Sequence, residues 1–194
     1  MAKRGALGLA RLAAGALSAL LGAGCAGLPP LAPAKDALSA DEHLRLGASY
    51  EAQGLRKEAA DQYAAAARRD PRLAAAWIAS GNIAFESEDW AAAERCYRRA
   101  LKAAPGHPGA SNNLAMVYLA RGKDLARAES LARVALQGAG PLEPYALDTL
   151  ANVYAREGRW DEARGALARA EAAAPVVDAG FRARLERTRR AVER

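Results

Sequence analysis

AAAWIASGNIAFESEDWAAAERCYRRALKAAPGH, residues 74–107, decides the fold. The preceding stretch, residues 40–73, has the same spacing of large and small side chains, 34 residues earlier. Gly81, Ala93, Tyr97, Ala100 and Pro105 answer Gly47, Ala59, Tyr63, Ala66 and Pro71. Near the end of the chain, Tyr154, Ala163, Leu167, Ala170 and Pro175 follow in the same order. A fixed period of this size belongs to stacked helix pairs, each covering its neighbour, rather than to one closed core. Such stacks usually bind other proteins and rarely do chemistry.

Alanine supplies much of the 52% hydrophobic content, so the chain buries less area than that figure implies. Alanine favours helix and lets helices approach closely. No period-two alternation is visible, and the chain reads as nearly all α. The formal charge of +6 sits at the ends. Lys3, Arg4 and Arg11 lie among residues 1–24, which hold no acid, and residues 178–194 carry six Arg against three acids. The body between is neutral, which argues against a nucleic-acid groove.

The repeat resembles the tetratricopeptide repeat, a helix–turn–helix of 34 residues. That family places a large residue at position 4, Leu-Gly at 7–8, Tyr at 11, Ala at 20, an aromatic at 24, Ala at 27 and Pro at 32. Repeats are read at 40–73, 74–107, 108–143 and 144–177. The third is the most irregular: an extra residue near Lys123-Asp124 moves its small sites to Ala128 and Ala135, and its closing Pro is out of register. The resemblance implies an all-α, right-handed superhelical solenoid of about four helix pairs. Ser39 and Glu42 read as a capping box opening the first helix. Residues 178–194 read as a basic C-terminal capping helix with Phe181, Leu185 and Val192 on one face, its Arg side chains largely outward. That basic face is either a solvated cap or a contact for anionic lipid or an acidic partner.

The N-terminus reads as an address. Residues 1–11 are basic, and residues 12–24 form an apolar run too short to span a bilayer. Leu21-Gly22-Ala23-Gly24-Cys25 resembles the lipobox of bacterial lipoproteins. The resemblance implies diacylglyceryl transfer to Cys25, cleavage before it, and acylation of the new amine with a fatty acid such as palmitate. Gly22 departs from that pattern, which favours Leu there; the alternatives are plain secretion, cut near Ala23 or Ala26, and an uncleaved anchor or cytosolic protein. Two or three acyl chains hold a protein at a membrane where one does not, at about 0.8 kcal/mol per buried methylene. Residues 25–38 contain Pro29, Pro30 and Pro33 and read as an extended tether reaching roughly 30–40 Å. Ala26 after the cysteine implies, by the same resemblance, delivery to the cell outer membrane, facing the periplasm.

Chemistry is scarcely represented. His43 and His107 share no metal-ligand spacing with each other or with Cys96, and no phosphate loop or nucleophile motif appears. No catalytic set, metal or cofactor is expected, and neither is a nucleic-acid partner or a small-molecule substrate. Trp77, Trp90 and Trp160 fall at repeat positions 4 and 17 and are expected to pack. Binding remains. In the family it resembles, the first helix of each pair lines a concave groove, which here implies Leu44, Ile78, Asn82, Phe85, Asn112, Met116, Leu119, Tyr145, Asp148 and Asn152. The Asn side chains suit an extended peptide backbone and the apolar ones its side chains. Alternatively, the Asn groups tie neighbouring helices and the apolar ones are core. Leu44 and Ala48 replace the Lys and Asn of the family's carboxylate clamp, so tails of that kind are not expected.

The functional expectation is a lipid-anchored scaffold, tied to the membrane through Cys25, that binds a protein or peptide partner in its groove. It resembles lipoproteins serving an envelope machine such as a pilus or secretion system. A cytosolic regulator with a basic tail and an accessory subunit of an envelope peptidase or hydrolase are the alternatives.

Overall fold

The computed structural model describes residues 36–138, 140–175 and 178–193. Cys25, residues 1–24 read as a signal, and most of residues 25–38 read as a tether lie outside the described residues. Leu38–Arg194 forms one packing unit. Its helices are α1 (Ala40–Ala52), α2 (Arg56–Arg69), α3 (Ala74–Glu86), α4 (Trp90–Ala103), α5 (Pro108–Arg121), α6 (Leu125–Gln137), α7 (Glu143–Arg156), α8 (Trp160–Ala173) and α9 (Ala179–Val192). A short 3-10 turn, Gly140–Leu142, enters α7. The helices pair in order, α1 with α2 through α7 with α8, into a superhelical stack that α9 closes. Among the described residues there is no strand.

Local chemistry sets the boundaries. Ser39 and Glu42 form the reciprocal capping box at α1, with Ser39 N–H donating to Glu42 Oε2 at 2.7 Å. Asp89 accepts from Ala92 N–H at 2.9 Å at α4, and Asp178 from Phe181 N–H at 2.8 Å at α9. Pro105 and Pro175 stand two residues beyond the ends of α4 and α8, where they forbid continuation of the helix. The turn inside each pair needs one left-handed residue. Gly54, Gly122 and Gly158 supply it in pairs one, three and four, and Glu88 (φ 58°) supplies it in pair two. The extra residue of pair three is absorbed at Asp124, also left-handed at φ 52°.

The small sites permit the packing. Ala59, Ala66, Ala93, Ala100, Ala128, Ala135, Ala163 and Ala170 are all at most 1% exposed. Gly47 and Gly81 lie under the rings of Tyr63 and Tyr97: a Cβ at either would stand 2.6 or 2.5 Å from a ring carbon. In pairs three and four the glycine becomes Ala115 or Ala151, and the aromatic becomes Ala132 or Leu167, so volume is traded across the same contact.

The core is uneven along the stack. One continuous cluster runs from Ala93 and Tyr97 to Val192. Pairs one and two meet instead through a separate cluster of Ala66, Ala67 and Ala76, flanked by Leu44, Leu73 and Trp77. Polar groups follow the same division. Between α4 and α5, Arg98 donates to Tyr118 Oη at 2.8 Å and pairs with Glu94 at 2.8 Å, and Glu94 also pairs with Arg121. One repeat on, Arg133 donates to Tyr154 Oη at 3.0 Å and Glu129 bridges Arg133 and Arg159. Between α2 and α3 the matching positions are Ala60, Ala64 and Ala84, which cannot form such a network.

One expectation about a single side chain changes, and another is refined. Trp90 packs edge-on to Phe85 with centroids 5.0 Å apart, but Trp160 is 45% exposed. Both occupy the same repeat position, but Ala155 stands where Phe85 would be, so Trp160 has no ring to lean on. The Arg residues of α9 are largely outward, as expected, with Arg182, Arg187 and Arg190 exposed, but two of them make ties back to the stack. Arg184 pairs inward with Asp148, and Arg189 bridges to Glu171 at 2.7 Å.

Candidate functional site

The first helix of each pair contributes to one inner face. There α3, α5 and the entry to α7 enclose a groove of about 320 Å³, with Glu51 at one end and Arg184 of α9 at the other. Asn82, Phe85, Asn112, Met116 and Tyr145, all expected from the repeat register, line it. Glu86, Tyr97, Gly109, Asn113, Leu142 and Arg184 also line it and were not expected.

Asn82 is the hub of the polar wall. Its Oδ1 accepts from Tyr97 Oη–H at 2.9 Å and from Asn113 Nδ2 at 3.0 Å, which ties α3 to α4 and α5. Its own Nδ2 has no acceptor among the described residues. Asn113, adjacent to the expected Asn112, makes the link between repeats. Burial of Tyr97 pushes its phenol above the usual range, so the hydroxyl stays a donor at any physiological pH.

Asn112 is the anomaly. It is 7% exposed, and its Nδ2 reaches only the Met116 sulfur at 3.6 Å. Its Oδ1 is buried with no donor among the described residues. An unsatisfied buried amide oxygen costs about 1–3 kcal/mol. A folded chain retains such a group where packing or a ligand repays it.

The remaining expected residues lie elsewhere. Leu44 packs on the small cluster between pairs one and two, and Leu119 on the main core. Ile78 is half-buried and outside the groove lining. Asp148 and Asn152 do not form an open wall, because α9 lies over them. Asp148 is fully buried, paired with Arg184, and accepts from Thr188 Oγ1 at 2.7 Å. Asn152 donates to Thr188 Oγ1 at 2.9 Å. Tyr145 meets Phe181 with centroids 4.2 Å apart and donates to Asp178, whose carboxyl is held below its usual range by that bond and by Phe181 N–H. The terminal helix therefore fills the inner face of pair four and ends the groove. Sequence spacing cannot reveal this, since nothing in the repeat register says where a helix outside the register will lie.

The groove's charge is asymmetric. Glu51 accepts from Tyr63 Oη–H and faces no cation among the described residues. Glu86 has one surface partner, Arg56, at 3.2 Å. At the other end the Arg184 charge is consumed by Asp148. Among the described residues, no group of three or more His, Cys, Asp or Glu could hold a metal ion. Cys96 is half-buried, and desolvation raises its thiol above the usual range, which favours the protonated form.

The tetratricopeptide repeat description matches residues 78–144 and again residues 146–175. No curated protein matches the chain. Among solved structures it is similar to MamA, at 22% identity and a TM-score of 0.62, over 69% of this chain and 77% of that one. It is similar to PilW, described as a widely conserved type IV pilus biogenesis factor, at 22% identity and 0.65, over 70% of this chain and 62% of that one. It is also similar to PilF of Pseudomonas aeruginosa, at 22% identity and 0.64, over 72% of this chain and 63% of that one. The chain thus spans under two thirds of either pilus protein, and at this identity the likeness speaks to the fold alone.

Proposed function

Since the chain belongs to the tetratricopeptide repeat family, we propose that it is a non-catalytic adaptor, anchored by lipid at Cys25 to the outer membrane. Its groove holds a protein segment of an envelope assembly such as a pilus. The observation that carries the binding half is the groove itself, where apolar Phe85, Met116 and Leu142 alternate with amides that have unused hydrogen-bonding capacity. That mixture suits an extended polypeptide, which presents N–H, C=O and side chains together. Support for the anchoring half is the N-terminal sequence, a basic start, an apolar run and a cysteine after small residues. The likeness to PilW and PilF makes pilus assembly the first setting to try.

Two experiments test the two halves separately. Cys25→Ser should abolish labelling by a fatty-acid analogue and release the protein from membranes; a variant that stays membrane-bound refutes the anchor. For the groove, crosslinked partners should be captured by the unaltered protein and lost on substituting Asn82 and Phe85 together, with helicity retained. Capture that survives the double substitution places the partner elsewhere.

A further inference from the structure

We infer that the groove selects a cationic, apolar stretch of polypeptide, with Lys or Arg side chains directed to Glu51 and Glu86 and a large apolar side chain seated between Phe85, Met116 and Leu142. This rests on the reading of the inner face as the partner site and adds the partner's chemistry to it.

Three observations converge. The first is charge. Glu51 is exposed at the groove mouth, and its one partner is the neutral Tyr63 hydroxyl. Glu86 has only the surface pair with Arg56, whose side chain is 64% exposed and easily displaced. Arg184, the cation at the far end, is already neutralised by fully buried Asp148. The groove therefore offers net negative charge at one end and none at the other, and like charge brought to that end is repelled. The second observation is the unpaired Asn112 Oδ1 in a residue more than nine-tenths buried in the groove wall. It lacks a donor, and a seated polypeptide N–H supplies one once the Asn112 amide turns toward the groove. The third is the wall. Phe85 is half-buried against Trp90, Met116 is half-buried, and Leu142 is 40% exposed on the 3-10 turn, so apolar surface is left open beside the acids. The groove stops at α9, which limits the seated segment to a few residues.

The test uses the purified full chain and short fluorescent peptides with blocked ends. One series alternates Lys with Leu or Phe, a second alternates Glu with Leu or Phe, and a third alternates Lys with Ser. The first should bind best, and weaken about tenfold as salt rises to about 0.5 M. Glu51→Gln and Glu86→Gln should each weaken it about threefold to tenfold at low salt. Glu58→Gln, an exposed acid in the first turn of α2 away from the groove lining, should change nothing. Leu142→Ser, at a 40% exposed position on the 3-10 turn, should weaken it about fivefold with circular dichroism unchanged. Equal binding of the Glu series that Leu142→Ser still weakens would overturn the charge assignment and leave the groove reading intact. Lys-series binding indifferent to both Glu variants and to Leu142→Ser would overturn both. Absence of binding by every series also overturns the proposal.

Discussion

Substituting alanine for glycine is the same chemical change at Gly81 and at Gly165, but it should stabilise the protein at Gly165 and not at Gly81. Both sit inside helices, so both gain about 1 kcal/mol of helix propensity as alanine. At Gly165, exposed on α8, the new Cβ has no heavy atom within 4 Å, and that gain stands alone. At Gly81 the Cβ would lie 2.5 Å from Tyr97 Cε1 and 2.8 Å from Cδ1. Ordinary contact begins near 3.4 Å, so the ring must retreat by about 1 Å. It has nowhere to go: Tyr97 is 1% exposed, and its hydroxyl is held by Asn82, the residue following Gly81. Overpacking of this kind costs about 1–3 kcal/mol. Propensity cancels in the difference between the two variants, which should therefore be about 1–3 kcal/mol, with Gly165→Ala the more stable. Urea unfolding followed by far-UV circular dichroism measures it. Gly81→Ala combined with Tyr97→Leu should recover part of the loss, because pair four already uses alanine with leucine at these positions. If Gly81→Ala stabilises as much as Gly165→Ala, the account of close helix approach under the ring is wrong.

Glu88→Gly should stabilise the protein by up to about 1 kcal/mol, since Glu88 holds a left-handed turn that glycine fills in the other pairs; thermal unfolding reads the gain. Native-state hydrogen exchange should show α1 and α2 opening before α5–α8, because pair one stands outside the main core and its junction lacks the Tyr–Glu–Arg network; equal protection along the stack would contradict this. Glu129 is held below its usual pKa, first by the hydrogen bond from Arg159 and then by Arg133. A depressed folded pKa stabilises fully above the unfolded value of about 4.3 and is lost as pH falls through the folded value. Stability should therefore decline below about pH 4.5, and Glu129→Gln should flatten that decline; an unchanged acid limb would show that Glu129 does not couple to folding.

The repeat spacing, by itself, determined the helix pairs, their turns and the small sites, because those depend on volume and backbone freedom at fixed positions. Gly47 and Gly81 with their tyrosines, and Pro105 and Pro175 after their helices, act within one repeat or between adjacent ones, and periodicity reports just that. It also brought Asn82, Phe85, Asn112, Met116 and Tyr145 to one face. Tertiary structure decided the rest. Asn113, not Asn112, spans two repeats, because a one-residue difference on a helix is a matter of rotation that packing sets. The position of α9 was invisible to the register, yet it buries Asp148 and Asn152, turns Arg184 inward and ends the groove. Whether Trp160 is covered depended on a side chain five residues earlier, Ala155, in the helix facing it. Spacing fixes which residues share a face, whereas depth, pairing and closure come from elements far apart in the chain that meet only when it folds.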